Sequence, residues 1–240
     1  MADLFVSDVH LDAGTPAASA QFLDFLSEKA ARAERLYILG DLFEAWIGDD
    51  DPDEHKARVC EGLKALSRCG VACFVLHGNR DFLLGEGFTA RTGALVLPDP
   101  VIADFAGEPV LLTHGDILCV DDHAYQELRS IVRAPKWQQR FLALPVEDRS
   151  ALADQVRAGS RAHVSRQVPY VMDTNPAAVE AAFRATGVRR IIHGHTHRPA
   201  IHETVIDGEP VTRIVLGAWY EQGSYLHHEA GRFELRELPR

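Results

Sequence analysis

Seven side chains able to bind metal occur along this chain in five short motifs. Asp8 and His10 stand in Asp-Val-His, Asp41 follows Gly40, and Asn79 opens Asn-Arg-Asp after Gly78. His114 stands in Thr-His-Gly-Asp, and His195 and His197 in Gly-His-Thr-His. Mixed imidazole, carboxylate and amide donors suit Mn²⁺, Fe²⁺, Co²⁺ or Zn²⁺ better than Ca²⁺ or Mg²⁺, which favour all-oxygen shells. Two ions side by side need about this many ligands, and such a pair generates a nucleophile from water and clamps a phosphoryl group. Each motif alone has an ordinary reading. Asp41 and Asn79 after glycine are turn chemistry, His114 is a loop histidine, and His193, His195 and His197 are a surface cluster. Jointly, each falls where a strand signal gives way to a loop, and that favours the dinuclear reading.

The elements that must position these motifs alternate along the chain. Apolar runs at 4–7, 36–39 and 71–76 read as strands that end at Asp8, Asp41 and Asn79. Helices are expected over 16–33, with Thr15 as N-cap and Pro16 at the first position, and over 53–67. Residues 101–105 and 109–113 form a hairpin around Ala106-Gly107-Glu108. A helix from Asn175-Pro176 to Gly187 precedes a strand over 188–193. Runs at 200–206, 211–216, 224–228 and 232–236 are strands, with turns at Asp207-Gly208 and Ala230-Gly231. The pattern predicts an α/β fold, a two-sheet sandwich flanked by helices, with the ligands at strand ends. In an extended segment residues i and i+2 share a side, so Asp8 and His10 are expected to reach one ion together. Residues from about 121 to 171 lack strand runs and read as a helical lid inserted within a single domain, 1–240.

The chain has 240 residues, 46% hydrophobic and 25% charged, enough for a sizeable core. Its net charge of −10 argues against nucleic acid as a partner. Cys60, Cys69, Cys73 and Cys119 form no Cys-x-x-Cys pair and read as reduced thiols. No signal peptide and no spanning apolar run are expected. Within the lid, Tyr125, Leu128, Val132, Trp137, Phe141 and Leu144 recur at helical spacing. Arg129, Arg133, Lys136 and Arg140 accompany them, against Glu127 alone. Basic amphipathic helices bind anionic bilayers; a helix packing its apolar face on the core reads the same way.

The five motifs resemble the calcineurin-like metallophosphoesterase superfamily over all of the chain except the insert. The resemblance implies Asp8, His10 and His197 as ligands of a first metal, Asp41 as the bridging carboxylate, and Asn79, His114 and His195 as ligands of a second, with a bridging hydroxide as nucleophile. His193 has no place in that pattern and is assigned a structural role. The superfamily usually carries Gly-Asn-His where this chain has Gly78-Asn79-Arg80. Arginine cannot give up a proton in this range, but it binds phosphate oxygens bidentately.

The stretches 39–50, 77–85, 193–200 and 216–219 resemble more narrowly a family of diphosphatases that act on UDP-linked glycolipids. That resemblance implies two Mn²⁺ per chain and attack on the α-phosphorus. It implies catalytic roles for Asp41, Asn79, Arg80 and His195, and substrate contacts from Asn79, Arg80, Asp122, Ser160 and His195. It also implies peripheral residence on the cytoplasmic face of the bacterial inner membrane. The family uses an asparagine and a lysine shortly after the serine, where this chain has Val164 and Gln167; Arg161, His163 or Arg166 stand nearby as substitutes. A generic phosphomonoesterase or cyclic-nucleotide phosphodiesterase is the competing enzyme reading, and Arg80 and the basic insert count against it. A non-catalytic scaffold would be expected to lack ligands, and none is missing.

Overall fold

The computed structural model describes residues 2–164, 173–220 and 222–238, the side chains of 160–164 excepted. The first sheet has the strand order β11 (Arg232–Glu237), β10 (Ser224–Glu229), β1 (Asp3–Val6), β2 (Arg35–Leu39), β3 (Ala72–Leu76), β4 (Leu95–Leu97). Strands β1 to β4 are parallel, and β10 runs antiparallel to β1. The second sheet has the order β5 (Val101–Phe105), β6 (Glu108–Leu112), β7 (Arg190–His193), β9 (Glu209–Val215), β8 (Ala200–Ile206), with β6, β7 and β9 parallel.

The unbroken apolar runs of β1, β2 and β3 are buried on both faces, as parallel strands between two layers require. Their inward side chains Phe5, Tyr37, Leu39 and Leu76 pack on Val110, Leu112, Ile192, Ile214 and Leu216 of the second sheet. Phe5 and Tyr37 stack at 5.1 Å. On the outer face, Leu4, Val6, Leu36, Ile38 and Val75 meet Phe22 and Phe25 of α1 (Pro16–Glu28) and Leu63 and Leu66 of α2 (Glu54–Arg68). α7 (Pro176–Thr186) covers the second sheet through Phe183, against Leu111, Ile191 and Val211. The hairpin turns Ala106-Gly107, Asp207-Gly208 and Ala230-Gly231 all have positive φ at both central residues, as type I′ turns demand.

Some boundaries differ from expectation. The first helix stops at Glu28 and continues as a 3-10 turn, Ala30–Arg32. Thr15 makes no side-chain cap; its hydroxyl donates instead to the Asp12 carbonyl. α3 (Glu86–Thr92) and β4 are too short for a periodic signal and were not anticipated.

Between β6 and α7 lies the insert, with helices α4 (His123–Val132), α5 (Pro135–Leu142) and α6 (Val146–Val164). Phe141 buries its ring, and Trp137, Val146 and Ala153 pack against the first core. Buried Arg149 anchors α6 to the core, donating to the Ile47 carbonyl at 2.7 Å and to both Asp50 oxygens. The end of the expected lid, 165–171, lies outside the described residues. Among the described residues no helix is long and apolar enough to cross a membrane.

Candidate metal centre

Asp8 and His10 follow β1, Asp41 follows β2, Asn79 follows β3, His114 follows β6, and His195 and His197 follow β7. All of these strands but β6 and β7 belong to the first sheet, so the centre is assembled across the sandwich from the ends of parallel strands. His197 Nε2 lies 3.2 Å from Asp8 Oδ1 and 3.4 Å from His10 Nε2. Asn79 Oδ1 lies 2.8 Å from His114 Nε2 and 3.0 Å from His195 Nδ1. Between the two sets stands one oxygen, Asp41 Oδ2, 3.8 Å from His10 Nε2 and 3.9 Å from His114 Nε2. Donors about 2.0–2.2 Å from one ion lie roughly 3–4 Å from each other, so these separations fit a first-row divalent ion in each set. Asp8, His10 and His197 bring their donor atoms within 4.8 Å of one another, as do Asp8, Asp41 and His114.

The local backbone is strained into this shape. Asp8, His10, Asp41, His195 and His197 all have φ between 52° and 66°. Non-glycine residues in the left-handed region cost about 1–3 kcal/mol each and persist only where the surroundings over-determine them. Here they do. Asp8 N donates to the Gly40 carbonyl, His10 N to the Asp41 carbonyl, and Gly194 N to the His114 carbonyl. The fully buried Asp81 accepts from the backbone N–H groups of Asp41, Leu42, Phe43 and Gly78. Gly78 and Gly194 allow the close approach: a Cβ on Gly78 would lie 2.1 Å from Asp41 Oδ1, and one on Gly194 2.3 Å from Asp8 Oδ2. Asp8 and His10 thus reach the same cluster through left-handed turns, not through the extended backbone that their spacing suggests.

The ring orientations are set from behind. His10 Nδ1 is 3.0 Å from Glu44 Oε2, and His114 Nδ1 donates to the Leu39 carbonyl at 2.9 Å, leaving each Nε2 toward the cluster. Electrostatics ask for a cation. Burial pushes the Asp41 carboxyl up to about 6, opposed by the charges of His114 and His10. Burial would lower His114, but the carboxylates of Asp41, Asp8, Asp116 and Asp99 raise it to about 9. His195 is driven down to about 3 by burial and by the His114 charge. The rise at His114 reports the negative field of these buried carboxylates, a charge that bound cations would balance.

His193 is fully buried, with Nδ1 2.9 Å from the Gly194 carbonyl and Nε2 accepting from Arg213 at 3.1 Å. Burial, followed by the nearby arginine charge, lowers it to about 4. Arg80 donates its backbone N–H to Asp41 Oδ1 at 2.8 Å. Asp122 is buried and caps α4 through Tyr125 N at 3.0 Å. The side chains at 160, 161, 163 and 164 in α6, and residues 166 and 167 beyond it, lie outside the described part. Sequence reasoning missed Glu44, Asp81 and Tyr220, which is 59% exposed and stacks on His10 at 4.9 Å. Glu44 and Asp81 lie within the quoted motifs, but nothing local marks what they face.

A groove of about 450 Å³ opens from Asn79 and Arg80. Trp46, Ile47, Phe82 and Leu83 of the core form one wall, and Leu128, Val132, Trp137, Phe141, Leu152 and Val156 of the insert the other. Arg129 and Arg133 turn inward. Arg129 pairs with Asp116 at 2.7 Å, and Arg133 donates to the Gly78 carbonyl and lies over Phe82. Of the four basic residues on this part of the insert, Lys136 and Arg140 remain exposed.

A two-sheet sandwich with these ligands at its strand ends defines a metallophosphoesterase, and the family model of calcineurin-like phosphoesterases matches residues 4–199. The chain belongs to that family. It is 49% identical over 245 residues to the UDP-2,3-diacylglucosamine hydrolase of Xanthomonas campestris pv. campestris, covering 99% of each chain. It is equally 49% identical to the UDP-2,3-diacylglucosamine hydrolase of Stenotrophomonas maltophilia, covering both chains in full. An archaeal phosphodiesterase of known structure shares the fold at a TM-score of 0.53 and 13% identity, over 99% of this chain and 100% of that one.

Proposed function

We propose that this chain cleaves the diphosphate of UDP-2,3-diacylglucosamine, giving UMP and 2,3-diacylglucosamine 1-phosphate, a step in lipid A biosynthesis. The observation that carries this reading is the continuity between the polar metal centre and an apolar groove of about 450 Å³, joined at Asn79 and Arg80. Full-length relatives at 49% identity bear the corresponding name. A small phosphomonoester needs no such groove, whereas two acyl chains do.

Asp8, His10 and His197 would hold one Mn²⁺, Asn79, His114 and His195 the other, and Asp41 both. When bound, the ions supply Lewis-acid charge and an activated water. The rest belongs to the chain's own side chains. Glu44 and the Leu39 carbonyl fix the tautomers of His10 and His114. Arg80 holds the non-bridging phosphate oxygens, its backbone tied to Asp41. Insert and core together shield the acyl chains from water, and the family resemblance adds Asp122 and Ser160 as substrate contacts. The departing group is a phosphate monoester of low basicity, so an arginine in place of the usual histidine acid costs little. Turnover in ¹⁸O-water is expected to place the label on UMP, by mass spectrometry of both products. Label on the glycolipid phosphate would mean attack at the β-phosphorus and would overturn this mechanism.

The same reading places the protein peripherally on the cytoplasmic face of the inner membrane. Ile131, Leu142, Leu144 and Val156 are exposed on the insert beside Lys136 and Arg140. Changing Lys136 and Arg140 to glutamine is therefore expected to weaken binding to anionic vesicles, most at low salt. Co-sedimentation that is unchanged across a salt series would remove this surface from consideration.

A further inference from the structure

Helix α4 forms part of the groove wall without a core of its own. None of its residues is buried, and a helix of 10 residues is marginal alone in water. What holds it is polar, and it converges on the turn that follows His114. Tyr125 Oη donates to Asp116 Oδ2 at 2.5 Å, and Arg129 Nε donates to the same oxygen at 2.7 Å. Arg129 Nη2 also lies 3.8 Å from Asp99 Oδ2. Gln126 Nε2 donates to the carbonyls of Asp116 and Cys119 at 2.8 and 3.1 Å. Residues i and i+4 share a helix face, so one carboxylate oxygen reaches both Tyr125 and Arg129.

Asp116 is fully buried, and among the described residues its Oδ1 has no hydrogen-bond partner. Packing stability alone does not favour a buried carboxylate with one oxygen unsatisfied. Its position has another consequence. Tyr125, Leu128 and Arg129 line the groove, and the Tyr125 ring centroid lies 5.8 Å from that of His195. The carboxylate therefore ties one wall of the groove to the turn that presents His114.

We propose that Asp116 is a positioning residue for the hydrolysis: it fixes Tyr125 and Arg129, and with them the α4 wall of the groove, beside His195 at the edge of the metal centre. The inference rests on the glycolipid reading above for its substrate but not for its geometry. An asparagine at this position can still offer one oxygen to both donors, but it loses the charge that pairs with Arg129 and buries an amide NH₂ where Oδ1 stands, so both ties weaken. The Gln126 bonds to backbone carbonyls stay available to keep the fold.

The test compares Asp116→Asn and Tyr125→Phe with the wild-type chain. Bound metal, KM and kcat for UDP-2,3-diacylglucosamine, and amide hydrogen exchange would be measured. Metal content is expected to be unchanged. kcat/KM should fall roughly 10- to 100-fold, carried mainly by KM because the groove wall is what moves. Exchange over 123–132 should accelerate in Asp116→Asn while 54–68 stays as in the wild type. A merely structural residue would instead lower the thermal midpoint and leave KM alone. Wild-type KM in both variants, loss of a metal ion in step with activity, or unchanged exchange over 123–132 would overturn the proposal. Absence of UMP release by the wild-type chain would instead refute the substrate reading, and the exchange measurement would still decide the role of Asp116.

Discussion

Replacing Asp41 by alanine is expected to empty both halves of the metal centre and to abolish UMP release. The reason is geometric. A single oxygen, Oδ2, stands 3.8 Å from His10 Nε2 and 3.9 Å from His114 Nε2, so each set of donors loses the same ligand. The other oxygen accepts from Arg80 N, so the variant also frees the loop that carries the arginine. The loss should lie well beyond the roughly 10- to 100-fold that removal of a ligand-orienting partner costs. Glu44→Gln, which weakens the contact that orients His10, provides that lower rung. Metal analysis by mass spectrometry alongside turnover checks both, with Asp41→Asn as the variant that preserves volume. Retention of one ion at full occupancy in Asp41→Ala would show that the two sets do not share this carboxylate.

A second large effect separates two histidines four residues apart. His197→Ala is expected to abolish turnover, because it removes a donor placed 3.2 Å from Asp8 Oδ1 and 3.4 Å from His10 Nε2. His193→Ala is expected to keep both ions. That ring is occupied by the Gly194 carbonyl and by Arg213. Its removal leaves a half-buried guanidinium short of an acceptor, a cost of about 1–3 kcal/mol in stability rather than in chemistry. Urea unfolding and metal content measured on the same two variants distinguish the effects. If His193→Ala lost an ion and His197→Ala did not, the register of the Gly-His-Thr-His motif at the centre would be wrong.

Much of the fold was legible because its signals are local. Apolar runs of three to five residues at β1, β2 and β3, turn dipeptides with two left-handed residues, and Asn175-Pro176 opening α7 each declare themselves within a few positions. α3 and β4 escaped because elements of seven and three residues carry no period. The candidate donors were legible for a chemical reason: few residue types bind such ions, and each stood beside a strand signal.

What the sequence determined by itself is therefore the set of candidate donors, their order, and a helical stretch with basic and apolar residues in register. The tertiary structure decided how these are spent. Asp8 and His10 converge through left-handed backbone held by bonds to Gly40 and Asp41, where spacing suggested an extended strand. His197 joins Asp8 across 189 residues, and Asn79 joins His114 and His195. Arg129 and Arg133, read as part of a basic face, turn inward to Asp116 and to the Gly78 carbonyl. Periodicity reports which face of an element a side chain occupies, because that depends on neighbours three or four positions away. It carries no information on which partner the face will meet, because that is settled by long-range closure of the two sheets and by the requirement that every buried charge find its counterpart.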